Sequence, residues 1–393
     1  MEVSVVMKEK HVKPWADQIG SFGADTDSVI IDVEHGNPLM YEPFWRATEE
    51  KTRVVINGWQ NMSYKPQGSN ICWYMEPRLS QEIVRLHRLV GNARTDGRHI
   101  VVGTGSMQLY QAALYALSPP EAAQPIGVVS TAPYYSVSML AIFEASAEFL
   151  RSRLYQWAGD AHSFKNDATY IEVVCSPNNP DGFFKEAVRR TIHDLAYYLP
   201  QYAPITAAAT HDIMLFPFSK VTGHAGSRIG WALVKDREVA KKMTRFVDLN
   251  ALGVSQDSQL RAAQILGAVS DGYELGGGHA GPERFFDHGR RILEERWERL
   301  REAVRSCGSF SLPDQFPSAG CSFTGKRMQL LPAFAWMKCE REDAENCAEL
   351  LRSHNILTRT GKEFGSGPEY ARLSMLDKDE NFNLLIRRLC SIS

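Results

Sequence analysis

Short apolar runs alternate with amphipathic stretches along most of the chain. Runs bounded by polar residues predict strands at residues 28–33, 100–102, 125–130, 169–175, 191–194, 213–218 and 229–234. Between several of these runs, apolar residues recur every three or four positions, which is typical of a helix, as in residues 74–90. Strands that alternate with helices predict an α/β fold with a mostly parallel sheet.

The pattern changes after residue 248. Residues 248–269 predict a helix, and residues 272–281 form a glycine-rich loop. Residues 285–304 carry apolar positions on one face and many Arg and Glu on the other, which predicts a long helix between two domains. The alternation then restarts, and it predicts a smaller α+β domain with a strand at 333–337, a helix at 343–354 and a strand at 370–374.

These patterns predict two domains and an arm. Residues 1–28 are polar and mixed, and they are interpreted as a loose arm. Because chain termini often lie close together, we expect residues 1–50 to combine this arm with part of the small domain. Residues 51–305 are then the large domain, and residues 306–393 the small C-terminal domain.

Composition and charge exclude several classes of protein. Of the 393 residues, 44 are Lys or Arg and 46 are Asp or Glu, so a broadly basic nucleic-acid binder is not expected. The sequence offers no apolar stretch long enough for a membrane span and no secretory signal pattern at its start. The seven cysteines are widely spaced without a CxxC pair, which favours reduced thiols, a cytoplasmic location and no metal centre.

The strongest chemical signal is a lysine that follows an apolar strand. Lys220 follows the run 213–218 after one serine, and Arg228 lies eight residues later, directly before the next run. Burial lowers the pKa of an amine, and such a lysine can form a Schiff base with an aldehyde. Ser219 and Arg228 can hold a phosphate. Together these residues describe lysine-bound pyridoxal phosphate (PLP), although a surface loop whose cations face water has the same spacing.

Two further strand ends carry polar groups suited to the cofactor's ring. Asn179 lies in the turn-rich segment 176–182, and its amide can donate to a phenolate oxygen. Asp194 ends a short β-branched run, and a protonated pyridine nitrogen would give its buried carboxylate a cationic partner. Tyr197, three residues later, can reach the same ring oxygen as Asn179. An ordinary Asn-Pro turn and a capping Asp are the alternatives.

A glycine turn supplies a candidate phosphate cup. Gly103-Thr104-Gly105-Ser106 stands between a strand and a helix, whose first N–H groups attract anions. A lone glycine loop is weak evidence, and a plain helix start fits it as well. Tyr135, after the run 125–130, can stack on a pyridine ring or pack in the core.

With these residues in place, the sequence resembles aminotransferases of PLP fold type I. Within them it resembles the plant alliinase-related group, and most closely its tryptophan aminotransferases. The stretches that carry the likeness are DVEHGNP from Asp32, NMSY from Asn61, NICWYMEP from Asn70, VVGTGSMQ from Val101, SPNNPDG from Ser176, HDLAYY from His193, HDIMLFPFSKVTGHAGSRIGWALVKD from His211 and RLSML from Arg372.

The resemblance implies a role for each matching residue. It makes Lys220 the catalytic Schiff-base lysine and Arg372 the clamp for the substrate carboxylate, with Gly36 on the same side of the site. It assigns Tyr64 to the phosphate of a neighbouring subunit, and therefore implies a homodimer. The cofactor-binding residues it implies are Tyr64, Ser106, Met107 through its backbone N–H, Tyr135, Asn179, Asp194, Tyr197, Ser219, Lys220 and Arg228.

The resemblance also implies a fold and a reaction. The fold is a large domain with a mostly parallel seven-stranded sheet flanked by helices, plus a smaller α+β domain. The reaction is transamination of L-tryptophan with pyruvate to indole-3-pyruvate and L-alanine, a step of auxin biosynthesis. The alternatives are transamination of other aromatic amino acids, a carbon–sulfur lyase of the alliinase type and a non-enzymatic PLP-binding regulator. A regulator would require a basic DNA-binding segment, which the sequence does not contain.

Overall fold

The computed structural model describes residues 29–66, 70–119, 121–135, 153–164, 170–187, 191–275 and 283–392. The predicted arm 1–28 and residues 276–281 of the predicted glycine-rich loop lie outside these ranges. The strands are β1 (Ile31–Asp32), β2 (His99–Gly103), β3 (Ile126–Ser130), β4 (Tyr155–Asp160), β5 (Tyr170–Cys175), β6 (Thr191–Asp194), β7 (Ile213–Pro217), β8 (Gly230–Val234), β9 (Phe310–Ser311), β10 (Ser318–Cys321), β11 (Lys326–Gln329), β12 (Phe334–Cys339), β13 (Ile356–Leu357), β14 (Arg359–Thr360) and β15 (Tyr370–Ser374).

The α-helices in the described ranges vary widely in length. They span Glu42–Ala47, Glu49–Thr52, Pro77–Val90, Ser106–Leu117, Phe218–Val221, Arg237–Ala251, Gln256–Glu274, Phe285–Cys307, Cys347–Ser353 and Asp379–Ser391. None of the described helices is long and apolar enough to cross a bilayer. All seven cysteines lie in the described ranges, and none forms a disulfide.

Seven strands form one large sheet in the order β2-β8-β7-β6-β5-β3-β4. Only β8 is antiparallel to its neighbours, β2 and β7. Gly230, the first residue of β8, therefore pairs with Gly103 and Pro217, which are the last residues of β2 and β7. The start of β8 and the carboxyl ends of the other strands meet at one edge, where ligands bind in open α/β sheets.

A four-stranded sheet has the order β14-β15-β12-β9, and all its described pairs are antiparallel. β1 pairs with β13, which precedes β14 in the chain. The strands of the large sheet all precede the helix Phe285–Cys307, and those of the four-stranded sheet follow it. This arrangement and the seven-stranded sheet confirm the predicted fold class, whereas the domain boundaries stay a prediction.

One predicted helix is wrong at its beginning. Residues 248–269 do not form a continuous helix, because Arg237–Ala251 ends there and a new helix begins at Gln256. Leu252 and Gly253 have φ values of 53° and 103°, in the left-handed region that ends helices. A Cβ at Gly253 would lie 2.6 Å from the ring of Tyr74, so the close approach requires glycine.

Smaller differences have local causes. The predicted helix 74–90 begins at Pro77, because the Glu76 carboxylate accepts a hydrogen bond from the backbone N–H of Leu79. The predicted helix 343–354 is only Cys347–Ser353, with the side chain of Asn346 capping its start. The predicted strand 28–33 is reduced to β1, and β4 had no counterpart in the apolar pattern.

Candidate active site

Lys220 lies at the carboxyl edge of the large sheet, in the short helix that follows β7. Its Nζ donates a hydrogen bond to the carbonyl oxygen of Gly36 over 2.6 Å. Burial and the nearby Arg372 cation lower the pKa of Lys220 to about 8, while the charge of Asp194 acts in the opposite direction. About a tenth of this amine is therefore neutral, and nucleophilic, at pH 7, far more than for an ordinary lysine.

A network of polar side chains forms hydrogen bonds with the backbone of Lys220. The hydroxyl of Tyr202 and the amide of Gln201 both donate to the carbonyl oxygen of Lys220 over 3.3 Å. Tyr202 in turn accepts a hydrogen bond of 2.9 Å from the hydroxyl of Tyr41, and both tyrosines are buried. These contacts fix the turn that carries the lysine.

Asp194 ends β6 next to the lysine strand and is only 3% exposed. Its Oδ2 accepts a hydrogen bond from the hydroxyl of Tyr110 and its Oδ1 accepts one from the backbone N–H of Ala196, both over 2.9 Å. Burial raises the pKa of Asp194 to about 6, against these two hydrogen bonds and the charge of Lys220. A carboxylate buried in this way is stabilised by a cationic partner.

Arg372 lies on β15 and is 3% exposed, yet it stays a cation at neutral pH. Burial, followed by the charge of Arg359, lowers its pKa to about 10. One terminal nitrogen donates to Oδ1 of Asn179 over 3.1 Å, and the other donates to the carbonyl oxygen of Glu34 over 2.6 Å. The guanidinium carbon lies 4.1 Å from the ring centroid of Phe334.

Phe334 joins the arginine to the lysine. Phe334 lies on β12, which pairs with the strand that carries Arg372. Its ring centroid lies 5.9 Å from Nζ of Lys220. A Cβ at Gly36 would lie 2.7 Å from the ring of Phe334 and 2.9 Å from Nζ of Lys220, so a larger residue would displace one of them. The lysine, the arginine and Gly36 therefore share one small space.

The residues of the predicted phosphate cup also lie close together. Ser106 begins a helix after Gly105, whose φ of 94° favours glycine. The guanidinium of Arg228 donates to the carbonyl oxygen of Thr104 over 3.2 Å. A Cβ at Gly105 would lie 2.9 Å from a terminal nitrogen of this guanidinium. A Cβ at Gly230 would lie 3.2 Å from the backbone nitrogen of Ser106. The first backbone N–H groups of a helix and a guanidinium thus line a cradle that two glycines keep open.

The remaining predicted residues divide into two groups. Ser219 precedes Lys220 in the same turn, and Met107 follows Ser106 in the first turn of its helix. Tyr135 and Tyr197 lie close enough to Arg372 for its charge to act on both hydroxyls, whose pKa values burial raises. Tyr64 is not brought to this group, because it lies on the surface with 75% of its area exposed.

Several residues of the site were not identified from the sequence. Tyr110 lies four residues after Ser106, so both residues lie on the same face of that helix. This spacing could have identified Tyr110 from the sequence. Glu34, Phe334 and Arg359 had no local signal, because their contacts with Arg372 join distant parts of the chain.

Comparison with known proteins shows the family of the chain. The model of the Allinase family matches residues 31–393. Tryptophan aminotransferase-related protein 2 of rice (Oryza sativa subsp. japonica) is 54% identical, over 100% of this chain and 79% of its own length. An alliin lyase of Allium cepa var. aggregatum is 34% identical, over 93% of this chain and 83% of its own.

The fold is also found in solved structures. A multiple substrate aminotransferase from Thermococcus profundus superposes with a TM-score of 0.65 at 16% identity, covering 98% of this chain and 95% of that one. These likenesses confirm the predicted resemblance and the fold of the PLP-dependent aminotransferases. The chain therefore belongs to the Allinase family and is similar to its tryptophan aminotransferase-related proteins.

Proposed function

We propose that this aminotransferase transfers the amino group of L-tryptophan to pyruvate and uses PLP to do so, giving indole-3-pyruvate and L-alanine. The observation that carries the proposal is the convergence of three groups on one space. The amine of Lys220 and the guanidinium of Arg372 both lie against Phe334, and the charge of Asp194 acts on the lysine. Nucleophile, carboxylate clamp and ring partner are the groups that transamination requires.

The residues present fit PLP at both of its ends. The cradle formed by Gly105, Ser106, Gly230 and Arg228 suits a phosphate, since it combines the backbone N–H groups of a helix start with a cation. The buried carboxylate of Asp194 suits a protonated pyridine nitrogen. In this proposal Ser106, Met107, Ser219 and Arg228 hold the phosphate, Asn179 and Tyr197 hold the ring oxygen, and Tyr135 stacks on the ring.

Each protein group then has a defined task. When bound, PLP supplies an electron sink for the charge that develops at the substrate Cα. Arg372 binds the α-carboxylate through its planar fork and so orients the Cα–H bond. The neutral amine of Lys220 takes the Cα proton as a general base. The ammonium group so formed then acts as the general acid that gives a proton back later in the reaction. Asp194 stabilises the positive charge of the pyridine nitrogen throughout.

The proposal includes a homodimer in which Tyr64 reaches the phosphate of the neighbouring subunit. The exposed side chains of Tyr64, Trp59, Met62 and Val55, each at least 73% exposed, support a contact surface there. The turn that carries Tyr64 is held in place, because the amide of Gln256 donates to the carbonyl oxygen of Ser63 over 2.8 Å.

The preference for tryptophan and the place in auxin biosynthesis rest on the resemblance of the sequence and on the names of its relatives. A cytoplasmic location likewise stays a prediction. The second candidate is carbon–sulfur bond cleavage in cysteine sulfoxides, which the likeness to an alliin lyase favours. Both reactions begin with loss of the same Cα proton, so the site residues alone do not distinguish them.

A paired assay on the PLP-loaded protein distinguishes the two. One arm supplies L-tryptophan and pyruvate and measures indole-3-pyruvate. The other supplies an S-alkyl-cysteine sulfoxide and measures released pyruvate. We expect indole-3-pyruvate to form beyond one equivalent per site only when pyruvate is present. Pyruvate release from the sulfoxide, with tryptophan inert, would replace the proposed function with the lyase.

A further inference from the structure

A second arginine lies beside the substrate clamp. Arg359 on β14 is the direct cross-strand partner of Arg372 on β15. Directly opposed residues of an antiparallel pair project from the same face of the sheet. Consistent with this closeness, the charge of Arg359 is the second-largest cause, after burial, of the lowered pKa of Arg372.

Two carboxylates flank this second arginine. Nε of Arg359 lies 3.7 Å from Oε1 of Glu34, and one terminal nitrogen lies 3.6 Å from Oε2 of Glu363. The three side chains are 20%, 31% and 33% exposed, so water screens these charges only in part. Glu34 joins the two arginines, because its backbone carbonyl accepts the hydrogen bond from Arg372.

The two arginines therefore differ in how closely carboxylates approach them. Arg372 forms no ion pair with a carboxylate among the described residues, because its terminal nitrogens donate to an amide oxygen and a backbone carbonyl, although the charge of Glu363 also acts on it. Arg359, by contrast, is compensated by the two glutamates. One substrate carboxylate is thus matched by Arg372, while a second carboxylate arriving near Arg359 would meet Glu34 and Glu363 first.

We propose that Glu34 and Glu363 mask Arg359 and thereby restrict the site to monocarboxylic substrates, such as pyruvate and amino acids with uncharged side chains. The inference rests on the proposed function and deepens it, because it assigns rejection of dicarboxylic 2-oxo acids and of acidic amino acids to two named carboxylates. Rejection through placed like charges is a common basis of specificity. When both glutamates are neutralised, their negative charges no longer offset the charge of Arg359 or repel a second carboxylate.

The test compares a dicarboxylate with a monocarboxylate on the PLP-loaded protein. Calorimetry measures the dissociation constants of succinate and propionate for the unchanged chain, Glu363→Gln, and Glu34→Gln with Glu363→Gln. We expect the unchanged chain to bind propionate at least as well as succinate. In the double variant, the affinity for succinate relative to propionate should rise about tenfold or more. The single variant should show an intermediate rise. Adding Arg359→Gln to the double variant should remove the gain.

A matched control separates the local effect from loss of any surface charge. Glu302 forms an exposed ion pair with Arg305 over 2.7 Å, on the helix Phe285–Cys307 and outside the site. Glu302→Gln should leave the ratio of succinate to propionate affinity unchanged. Steady-state kinetics with 2-oxoglutarate and pyruvate as acceptors should follow the same order of variants as the binding data.

Three results would overturn the inference. They are a preference of the unchanged chain for succinate, a ratio that Glu363→Gln and the double variant leave unmoved, or a gain that survives Arg359→Gln. Failure of the proposed function has a different signature, namely no amino transfer from tryptophan to pyruvate. Because the binding measurements need no turnover, they decide the masking role in either case.

Discussion

Nζ of Lys220 donates a hydrogen bond of 2.6 Å to the carbonyl oxygen of Gly36. The contact joins residues 184 positions apart, and it holds the amine against the ring of Phe334 and the cation of Arg372. A lysine amine in such surroundings loses its proton more readily than one in water, because burial and a neighbouring cation both disfavour the ammonium form.

The protein without cofactor should capture PLP at a rate that depends on pH as the amine of Lys220 titrates. Since the neutral form attacks the aldehyde and the pKa of Lys220 is lowered to about 8, the rate should rise between pH 7 and pH 9. Stopped-flow absorbance measures it. A midpoint near the ordinary lysine value of about 10.4 would contradict the assigned environment.

Removing the hydroxyl of Tyr110 should raise the pKa of Asp194 and so destabilise its anionic form. Its hydrogen bond of 2.9 Å lowers the pKa of Asp194, so Tyr110→Phe should move the acid limb of the pH–rate profile to higher pH. A hydrogen bond to a charged group contributes about 1.5–3 kcal/mol, so a fall in activity of roughly tenfold or more is expected at acid pH. Tyr115→Phe, on the same helix, should leave the profile in place. Identical profiles for both variants would show that Tyr110 does not act on Asp194.

Two inactive variants should restore activity when their subunits are mixed. Lys220→Ala removes the amine of its own site, and Tyr64→Ala removes the group proposed for the neighbouring site. In a two-fold symmetric dimer, random exchange from equal amounts gives hybrids with one intact site each, or about a quarter of all sites. Activity after mixing under exchange conditions measures this. If no activity returns although hybrids form, Tyr64 serves its own subunit or neither.

The buried histidine His87 should make stability depend on pH. Its Nε2 accepts a hydrogen bond of 2.9 Å from the indole of Trp231, and burial lowers its pKa to about 4. An unfolded histidine titrates near pH 6.5, so between about pH 6.5 and 4 the unfolded state binds the additional proton. The free energy of unfolding should therefore decrease as pH falls through this window, by up to about 1.4 kcal/mol per pH unit from this group.

His87→Gln isolates that contribution. The variant should be less stable than the unchanged chain at pH 7, and the difference should narrow as pH falls from 6.5 towards 4. Urea unfolding at several pH values measures it. A difference that stays constant over this range would mean that His87 is not held neutral by the fold.

Much of the site could be predicted because its chemistry lies at strand ends. Lys220 and Asn179 follow apolar runs and Asp194 ends one, and the carboxyl ends of parallel strands meet at one edge. The order of strand and polar residue in each segment therefore indicated a shared edge, and the family resemblance supplied the role of each residue. Arg228 joined them because β8 runs in the opposite direction and begins at that same edge.

The rest depends on contacts between distant segments. Glu34 and Arg359 meet only because β1 pairs with β13 and β14 pairs with β15, and neither pairing has a local signature. The helix break at Leu252 was missed for a related reason. A leucine in the left-handed region is rare, and here the packing of Gly253 against Tyr74 accompanies it.

The most direct test of the central claim is a half-reaction. The PLP-loaded protein is mixed with L-tryptophan alone, without any 2-oxo acid, and indole-3-pyruvate and ammonia are measured per site. A transaminase stores the amino group, so the account predicts about one equivalent of indole-3-pyruvate, no ammonia and a second equivalent only after pyruvate is added. Continuous formation of a 2-oxo acid with stoichiometric ammonia, or no reaction with tryptophan at all, would contradict it.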